Sequence, residues 1–211
     1  TRANGARLST PPSGEPRPVC GSDAGAHTPA ITCQNVWQVF GAHADSALKQ
    51  ALSETQSAAE AAAALRAKGL TPAVQDATFE GKEGEVFVIM GLSGSGKSTL
   101  IRCISQLLPG TGGDILIDGE NIRTASPKRL IELRRNKLGM VFQHFGLFPR
   151  MSVAENVAYP LRVQGMRKKD RLAKAQQVIE LVGLGGREKN VPRELSGGQR
   201  QRVGIARSLV A

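Results

Sequence analysis

Aromatic residues, cysteines and long apolar runs are all scarce in this sequence of 211 residues. Aromatic side chains make up 4% of it, and the three cysteines, Cys20, Cys33 and Cys103, have spacings that suit neither a disulfide framework nor a metal site. Cys33 and Cys103 lie in apolar patterns, so we expect reduced core residues and a reducing compartment. No apolar run approaches the roughly 18 residues needed to span a bilayer, and no signal peptide is visible.

Acidic residues are also few, with 18 against 28 basic residues and a formal net charge of +10. That balance suits nucleic acid or an anionic membrane surface. The basic residues are spread over several predicted helices, however, which favours an ordinary solvated surface. Residues 1–29 contain five prolines and four glycines without an apolar period, which predicts a disordered segment ahead of the domain. Because the chain begins with Thr, we expect that its first residue is not the native start.

The stretch from Gly91 to Thr99 reads GLSGSGKST and fits the phosphate-loop pattern G-x-x-x-x-G-K-[ST]. The run Glu85–Met90 before it predicts a buried parallel strand, and apolar residues at helical spacing follow over Lys97–Leu108. Glycine-rich backbone and a helix N-terminus together favour a bound phosphate. The candidate nucleotide-binding residues of the loop are Gly91, Ser93, Gly94, Ser95, Gly96, Lys97, Ser98 and Thr99. The loop alone predicts nucleotide binding, which kinases, GTPases and transport ATPases share.

Three segments precede this loop. Ile31–Phe40 alternates as a strand does, and Ala73–Glu80 is a second strand candidate. Between them, the alanine-rich stretch Ala42–Leu70 contains no proline, which favours helix. Its apolar stripe is thin, so we expect a helical arm that lies on a surface rather than in the core.

Strand and helix signals also follow the loop. Asp114–Gly119 predicts a short strand with an Asp-Gly turn, and Ser126 with Pro127 begins a basic helix that ends near Arg135. Leu138–Phe142 predicts a buried strand that delivers Gln143 at its C-terminal end, where ligands bind in open α/β sheets.

Two helices without an intervening strand come next. A capping box at Ser152–Glu155 begins a helix that runs to about Val163, and an amphipathic helix covers Lys168–Val182. They predict a helical subdomain over about residues 150–196. The last helix follows LSGGQ at Leu195–Gln199, with Ser196 as its N-cap and two glycines that leave the first N–H groups bare. That is a second helix end suited to an anion.

A phosphate loop, a Gln at a strand end, a helical segment and then LSGGQ together resemble the nucleotide-binding domain of ABC transporters. The resemblance covers residues 30–211. It implies an α/β P-loop NTPase core with an N-terminal antiparallel β subdomain and an inserted helical subdomain. Within the family, the chain looks most like the ATPase subunits of glycine betaine/proline (quaternary amine) importers, because of the arm at 42–70 and the stretches VFVIMGLSGSG and MVFQHFGLFP. Polar amino-acid importers share much of the loop and remain an alternative.

The resemblance implies roles for individual residues and ATP with Mg²⁺ as cofactors. Phe40 resembles the aromatic that stacks on adenine, with a core aromatic as the alternative. Lys97 and Gln143 are the implied catalytic residues, and Ser98 and Gln143 the implied Mg²⁺ ligands. The signature residues, which would bind the γ-phosphate held by a second subunit, are Ser196, Gly197, Gly198 and Gln199.

The family also has, after the signature helix, a strand ending in Asp-Glu and later a switch His. The sequence stops at Ala211 before either, so we expect a C-terminally truncated cassette. A soluble ABC ATPase acting on ribosomes or DNA is a second possible class, but the segment 143–196 is short and carries no long coiled-coil insertion. A small-molecule kinase is a third, although it has no use for LSGGQ.

The implied function is ATP-driven uptake of a compatible solute such as glycine betaine, proline or choline. The implied partners are a second copy arranged head to tail, membrane permease subunits and a solute-binding protein, at the cytoplasmic face of the plasma membrane and without nucleic acid. Apolar residues crowd the loop after Gln143, which predicts either permease docking or packing of the helical subdomain; they are Phe145, Leu147, Phe148, Pro149 and Met151.

Overall fold

The structure, a computed structural model, describes residues 29–210. The predictions for residues 1–28, including Cys20, lie outside the described residues. The elements in chain order are β1 (Ile31–Phe40), α1 (Ala44–Glu54), α2 (Ala58–Ala67), β2 (Thr71–Gly81), α3 (Lys97–Ile104), β3 (Gly112–Ile117), β4 (Glu120–Asn121), α4 (Pro127–Asn136), α5 (Val153–Val163), α6 (Lys168–Leu181), a 3₁₀ turn (Pro192–Glu194) and α7 (Gly197–Leu209).

The four strands form one antiparallel sheet in the order β2-β1-β3-β4. This confirms the strands predicted at Ile31–Phe40 and Ala73–Glu80 and, with a shift of two residues, the strand predicted at Asp114–Gly119. Asp118 (φ 49°) and Gly119 (φ 79°) form the tight turn between β3 and β4, where both central residues have positive φ. Cys33 and Cys103 are both fully buried on one face of this sheet, as predicted for reduced core residues.

A kink crosses the sheet where three left-handed residues, Asn35, Asp76 and Gly113, lie on neighbouring strands. Asn35 donates a hydrogen bond of 2.8 Å from Nδ2 to Asp76 Oδ1. A side chain at Gly113 would collide with the Asn35 carbonyl, because its Cβ would lie 2.1 Å from that oxygen. Bulges of this kind re-aim side chains. As a result, Cys33 and Val36, which are three positions apart, share the core beside α3, whereas Trp37 and Val39 pack against the arm.

The predicted arm is two helices, α1 and α2, rather than one continuous helix. The break falls at Thr55–Ser57, where Ser57 caps α2 by accepting a hydrogen bond from Glu60 N. The arm also has its own core, against the expectation of a purely superficial helix. Small alanines let the two helices approach closely, and the buried residues of the arm and of β1 beneath it are Trp37, Val39, Leu48, Ala51, Ala61, Ala62, Leu65 and Leu70. Gly69 (φ 75°) follows Lys68, the C-cap of α2, in the left-handed conformation that commonly ends a helix.

The predictions of buried strands at Glu85–Met90 and Leu138–Phe142 are wrong for the described part of the chain. Both segments are irregular, and Val86 and Met90 are 87% and 85% exposed. A parallel strand needs hydrogen-bonded neighbours and cover on both faces. Within residues 29–210, no strand pairs with either segment. Helix α3 also ends at Ile104, one turn earlier than predicted, because Gln106 adopts φ 53°.

Helices α5, α6 and α7 pack around a third core. Its central residues come from all three helices and include Val157, Ile179 and Val203, each fully buried. The capping boxes at Ser152 and Ser196 begin α5 and α7 as predicted. Ser126 likewise caps α4, with Pro127 at its first position. The segment around Gln143 connects α4 to α5.

Candidate functional site

The loop Gly91–Thr99 turns tightly before α3, and its glycines are required there. Gly96 is the N-cap of α3 at φ 85°, and a Cβ on it would lie 1.9 Å from the Ala73 carbonyl oxygen. Gly94 also has positive φ, at 79°. A Cβ on Gly91 would lie 2.8 Å from Ser95 Oγ. The backbone of β2 therefore approaches the loop too closely for any side chain at Gly96.

Lys97 closes this loop on itself. Its ammonium donates to the carbonyl oxygens of Gly91 at 2.8 Å and Leu92 at 2.6 Å, and to Ser95 Oγ at 3.1 Å. Within the described residues, the backbone N–H groups of Gly94, Gly96, Lys97 and Ser98 donate to no protein acceptor. The Lys97 ammonium and these unpaired N–H donors thus lie within one turn at the N-terminus of α3. This donor set is suited to an anion with several oxygens.

The structure places Lys97, Ser98 and Gln143 around one space. All three line one cavity of about 550 Å³, together with His144 and apolar side chains such as Phe87. A second cavity of about 310 Å³ lies between the loop and β2 and is lined by Gly91, Ser95, Gly96 and Lys97. Exposed Gln143 therefore shares a cavity with Lys97 and Ser98 even though the segment before it is not a strand.

The turn after Gln143 has an unusual backbone. Phe145 and Gly146 are both left-handed, at φ 62° and 55°. For a residue with a bulky side chain, that conformation costs roughly 1–2 kcal/mol. The two carbonyl oxygens of this turn accept from one side chain of α7: Arg207 donates from Nη1 to Gly146 O at 2.6 Å and from Nη2 to Phe145 O at 3.3 Å.

A second arginine of α7 covers the same turn. The Arg200 guanidinium lies 5.3 Å from the centre of the Phe145 ring. Burial lowers the pKa of the Arg207 guanidinium, which nevertheless stays charged at neutral pH. Sequence reasoning missed both arginines. Their signal was the spacing of Arg200, Gly204 and Arg207, which places all three on one face of a helix beside its apolar stripe.

The signature residues lie apart from this cavity. Ser196 caps α7 by accepting from Gln199 N at 3.3 Å, and Gln199 Oε1 accepts from Ser196 N at 2.9 Å. Gly197 and Gly198 are exposed, and a Cβ on either would meet no atom within 4 Å. None of the four residues lines a cavity that Lys97 lines. The start of α7 is thus an open surface with bare N–H groups.

Phe40 also lies apart from the loop. It is the last residue of β1, pairs with Thr71 and is 43% exposed. Neither cavity beside Lys97 includes it. Its exposure disfavours the alternative of a core aromatic.

The apolar loop after Gln143 is fastened to α5. Buried Asn156 accepts from Phe148 N at 2.8 Å and donates to the Phe148 and Met151 carbonyl oxygens at 3.1 and 3.0 Å. Phe148 is 36% exposed and its ring centre lies 4.4 Å from that of Tyr159. Both rings line a groove of about 530 Å³ that is also lined by basic residues such as Arg134 and Lys137. This loop is therefore partly packed and partly open.

Comparisons with known proteins point to one family. The family model described as "ABC transporter" matches residues 74–211. The trimethylamine N-oxide transport system ATP-binding protein TmoW of Pelagibacter ubique is 51% identical over 181 residues, covering 86% of this chain and 52% of that protein. The glycine betaine/carnitine transport ATP-binding protein GbuA of Listeria monocytogenes is 44% identical over 182 residues, covering 85% and 44%. The chain thus spans about half the length of these curated relatives.

A solved structure is similar in both fold and sequence. It is a dimeric ATP-binding cassette in a post-hydrolysis state bound to ADP and Pi, with a TM-score of 0.68 and 32% identity over 85% of this chain and 69% of that one. Separately, none of the helices between residues 29 and 210 is long and apolar enough to cross a membrane.

Proposed function

This chain belongs to the ABC transporter family, and we propose that it forms the nucleotide-binding part of an ATP-driven importer of compatible solutes. The observation that carries the proposal is the cavity in which Lys97, Ser98 and Gln143 meet. The two curated relatives are named for trimethylamine N-oxide and for glycine betaine and carnitine, which all carry a fully methylated nitrogen. We therefore propose a solute of that class, such as glycine betaine or choline, with proline as a further candidate.

The phosphate groups of ATP would bind in the loop from Gly91 to Thr99. Bare N–H groups at the start of α3 supply donors, and Lys97 supplies the charge. On binding, the ammonium would exchange the Gly91 and Leu92 carbonyls for β- and γ-phosphate oxygens, which are stronger acceptors. Phe40 is proposed to stack on adenine, and its exposed ring at the end of β1 is compatible with that role.

Ser98 and Gln143 are the proposed Mg²⁺ ligands. A hydroxyl and an amide carbonyl are the hard oxygen donors that Mg²⁺ prefers, and both side chains line one cavity. Across residues 29–210 no cluster of three or more His, Cys, Asp or Glu side chains could hold a metal, so this pair carries the proposal. Held by these two side chains, Mg²⁺ would supply positive charge that offsets the charge of the phosphate groups. Gln143 would also orient the attacking water.

A second copy of the chain is the proposed partner for Ser196–Gln199. These residues lie at an exposed helix end away from their own Lys97, so one copy does not assemble both halves of a site. A head-to-tail dimer would place the bare N–H groups of α7 against a γ-phosphate held by the other copy. The solved cassette that resembles this chain is itself dimeric.

Permease subunits and a solute-binding protein are the further proposed partners, at the cytoplasmic face of the membrane. The groove beside Phe148 and Tyr159 combines exposed aromatic surface with a basic wall, which suits a short amphipathic segment of a membrane subunit. Asn156 fastens the loop that carries Phe148, so the loop serves both packing and docking in this proposal.

Uptake of labelled solutes tests the proposal in proteoliposomes that hold the full-length protein with its membrane subunits. We expect ATP-dependent uptake of glycine betaine, choline, proline or trimethylamine N-oxide, lost in Lys97→Ala and retained in Lys49→Ala, an exposed arm residue. Uptake restricted to other polar amino acids would support the polar amino-acid importer instead. The absence of any ATP-dependent uptake would favour a soluble ABC ATPase.

A further inference from the structure

We propose that Arg207 is a positioning residue for Gln143, and that α7 thereby connects the signature end of a subunit to the Lys97 cavity of the same subunit. The inference rests on the proposed function, because it concerns how Gln143 is held beside Lys97 and Ser98.

The turn that follows Gln143 needs to be held from outside. Its local hydrogen bonds are short-range, from Phe145 N to Phe142 O at 3.0 Å and from Gly146 N to His144 O at 2.7 Å. Two consecutive left-handed residues, one of them a phenylalanine, persist only where the surroundings determine them. Gln143 lies directly before this turn, so the turn sets the direction in which the Gln143 side chain enters the cavity.

The surroundings of this turn come largely from one helix. Arg207 binds the Phe145 and Gly146 carbonyl oxygens, and Arg200 covers the Phe145 ring. Between the two arginines, Gly204 is buried, and a Cβ on it would lie 3.7 Å from Phe145 O. Three successive positions on one face of α7 thus contact the same turn. The Arg200 Nε is buried without an acceptor among the described residues, so its contribution comes from the aromatic face.

The same helix also lies against the segment that precedes Gln143. A Cβ on Gly139 would lie 3.1 Å from the Ser208 carbonyl oxygen, so the two backbones are in close contact. A Cβ on Gly204 would also lie 3.8 Å from Val141 Cγ1. Helix α7 therefore supports the chain on both sides of Gln143, at Gly139 and Val141 before it and at Phe145 and Gly146 after it.

Helix α7 is also the helix that Ser196 begins. Its first turn is fixed by the capping box, and the apolar stripe beside the arginine face is buried in the core of α5 and α6 through Val203 and Ala206. A helix capped and packed in this way moves as a unit. A displacement of its N-terminal end by the phosphate of a second subunit would therefore reach Arg207 and, through the turn, Gln143. The structure thus provides a route by which nucleotide bound in one site affects the other.

The first test is kinetic and uses the full-length protein. Arg207→Met should lower kcat for ATP hydrolysis roughly tenfold to a hundredfold, because misplacing a catalytic group by about 1 Å costs that much. The half-saturating Mg²⁺ concentration should rise, while KM for ATP changes little. Arg207→Lys keeps the charge but loses the two-pronged donor, so it should give an intermediate kcat. Arg202→Met, an exposed arginine on the same helix, is the matched control.

A double-mutant cycle separates positioning from general damage. In a Gln143→Ala background, Arg207→Met should lower kcat no further, because the two side chains act at one place. An equal loss in both backgrounds overturns the positioning role and leaves the proposed function intact. A normal kcat for Gln143→Ala overturns the proposed role of Gln143 and the inference with it.

Hydrogen exchange gives a readout without nucleotide or turnover. Arg207→Met should speed amide exchange in a peptide covering residues 142–148 by about tenfold or more, because the turn loses two bonds to a charged donor. Peptides from β1 should be unaffected, and Arg202→Met should change neither. Unchanged exchange over residues 142–148 in Arg207→Met would show that α7 does not hold the turn.

Discussion

Lys97 is the residue on which nucleotide affinity should depend most. Its ammonium already satisfies two carbonyl oxygens of the loop, and a phosphate offers a charged acceptor in their place. Losing a charge-assisted contact of this kind costs about 1.5–3 kcal/mol. Lys97→Ala should therefore weaken ATP binding roughly tenfold or more in calorimetry. Lys49→Ala is the control, and an unchanged affinity in Lys97→Ala would contradict the role of the loop.

Cys33 should be protected from alkylation while the chain is folded. Burial, with a smaller effect of neighbouring Cys103, raises the pKa of the Cys33 thiol from 9.0 to about 11. Because the folded pKa lies above the unfolded one, this thiol stabilises the fold below about pH 9, and that stabilisation is lost as the pH rises towards 11.

Iodoacetamide labelling at pH 8, followed by peptide mass spectrometry, measures the effect. Peptides with Cys33 and Cys103 should react slowly in the folded protein and rapidly in denaturant. Equal rates in both conditions would show that neither thiol is buried in solution.

At the scale of elements, the arm should contribute to stability through its own core. Leu65 is fully buried between the two helices, whereas Leu52 on the same arm is 46% exposed. Leu65→Ala should lower the free energy of unfolding by about 2–5 kcal/mol. Leu52→Ala, the same chemical change at the surface, should cost much less. Similar losses for both variants, measured by urea denaturation, would mean that the arm does not pack as described.

Element ends with a local cause were predictable from the sequence, whereas elements that depend on distant partners were not. Ser126, Ser152 and Ser196 each cap a helix by bonding the third residue onward, a contact that the sequence itself contains. Glu85–Met90 has strand composition, but no strand among the described residues pairs with it. The spacing of apolar residues indicates which side chains will be buried, but it does not show which segment they will pair or pack with.

The candidate site shows the same division. The phosphate loop and the LSGGQ cap follow from spacing alone. The position of Gln143 on one cavity with Lys97 and Ser98 does not follow from the rule for strand ends, because the segment before Gln143 is not a strand. Arg207 binds the carbonyl oxygens of Gly146 and Phe145, which lie 61 and 62 positions before it in sequence. A pairing of that kind depends on tertiary packing, so only the helical spacing of Arg200, Gly204 and Arg207 could have indicated it.

For the whole molecule, binding and turnover of ATP should separate in the polypeptide of 211 residues. It contains Lys97, Ser98 and Gln143 but no Asp-Glu pair after an apolar strand to polarise water. We therefore expect nucleotide binding by calorimetry and no measurable phosphate release. The full-length protein is the positive control. Turnover comparable with that of the full-length protein would mean that another carboxylate polarises the attacking water.

The pairing of Phe40 with Thr71 has an evolutionary consequence. The chain leaves β1 and enters β2 at neighbouring points, so the thirty residues between them could be exchanged for a tight turn without altering the sheet. A lineage could gain, lose or lengthen the arm as one inherited unit. The kink at Asn35 directs Trp37 and Val39 towards the arm and Cys33 and Val36 away from it, so selection can act on the two sides separately. In a descendant that lost the arm, Trp37 and Val39 would be exposed to solvent. We expect polar residues at these two positions in such a descendant.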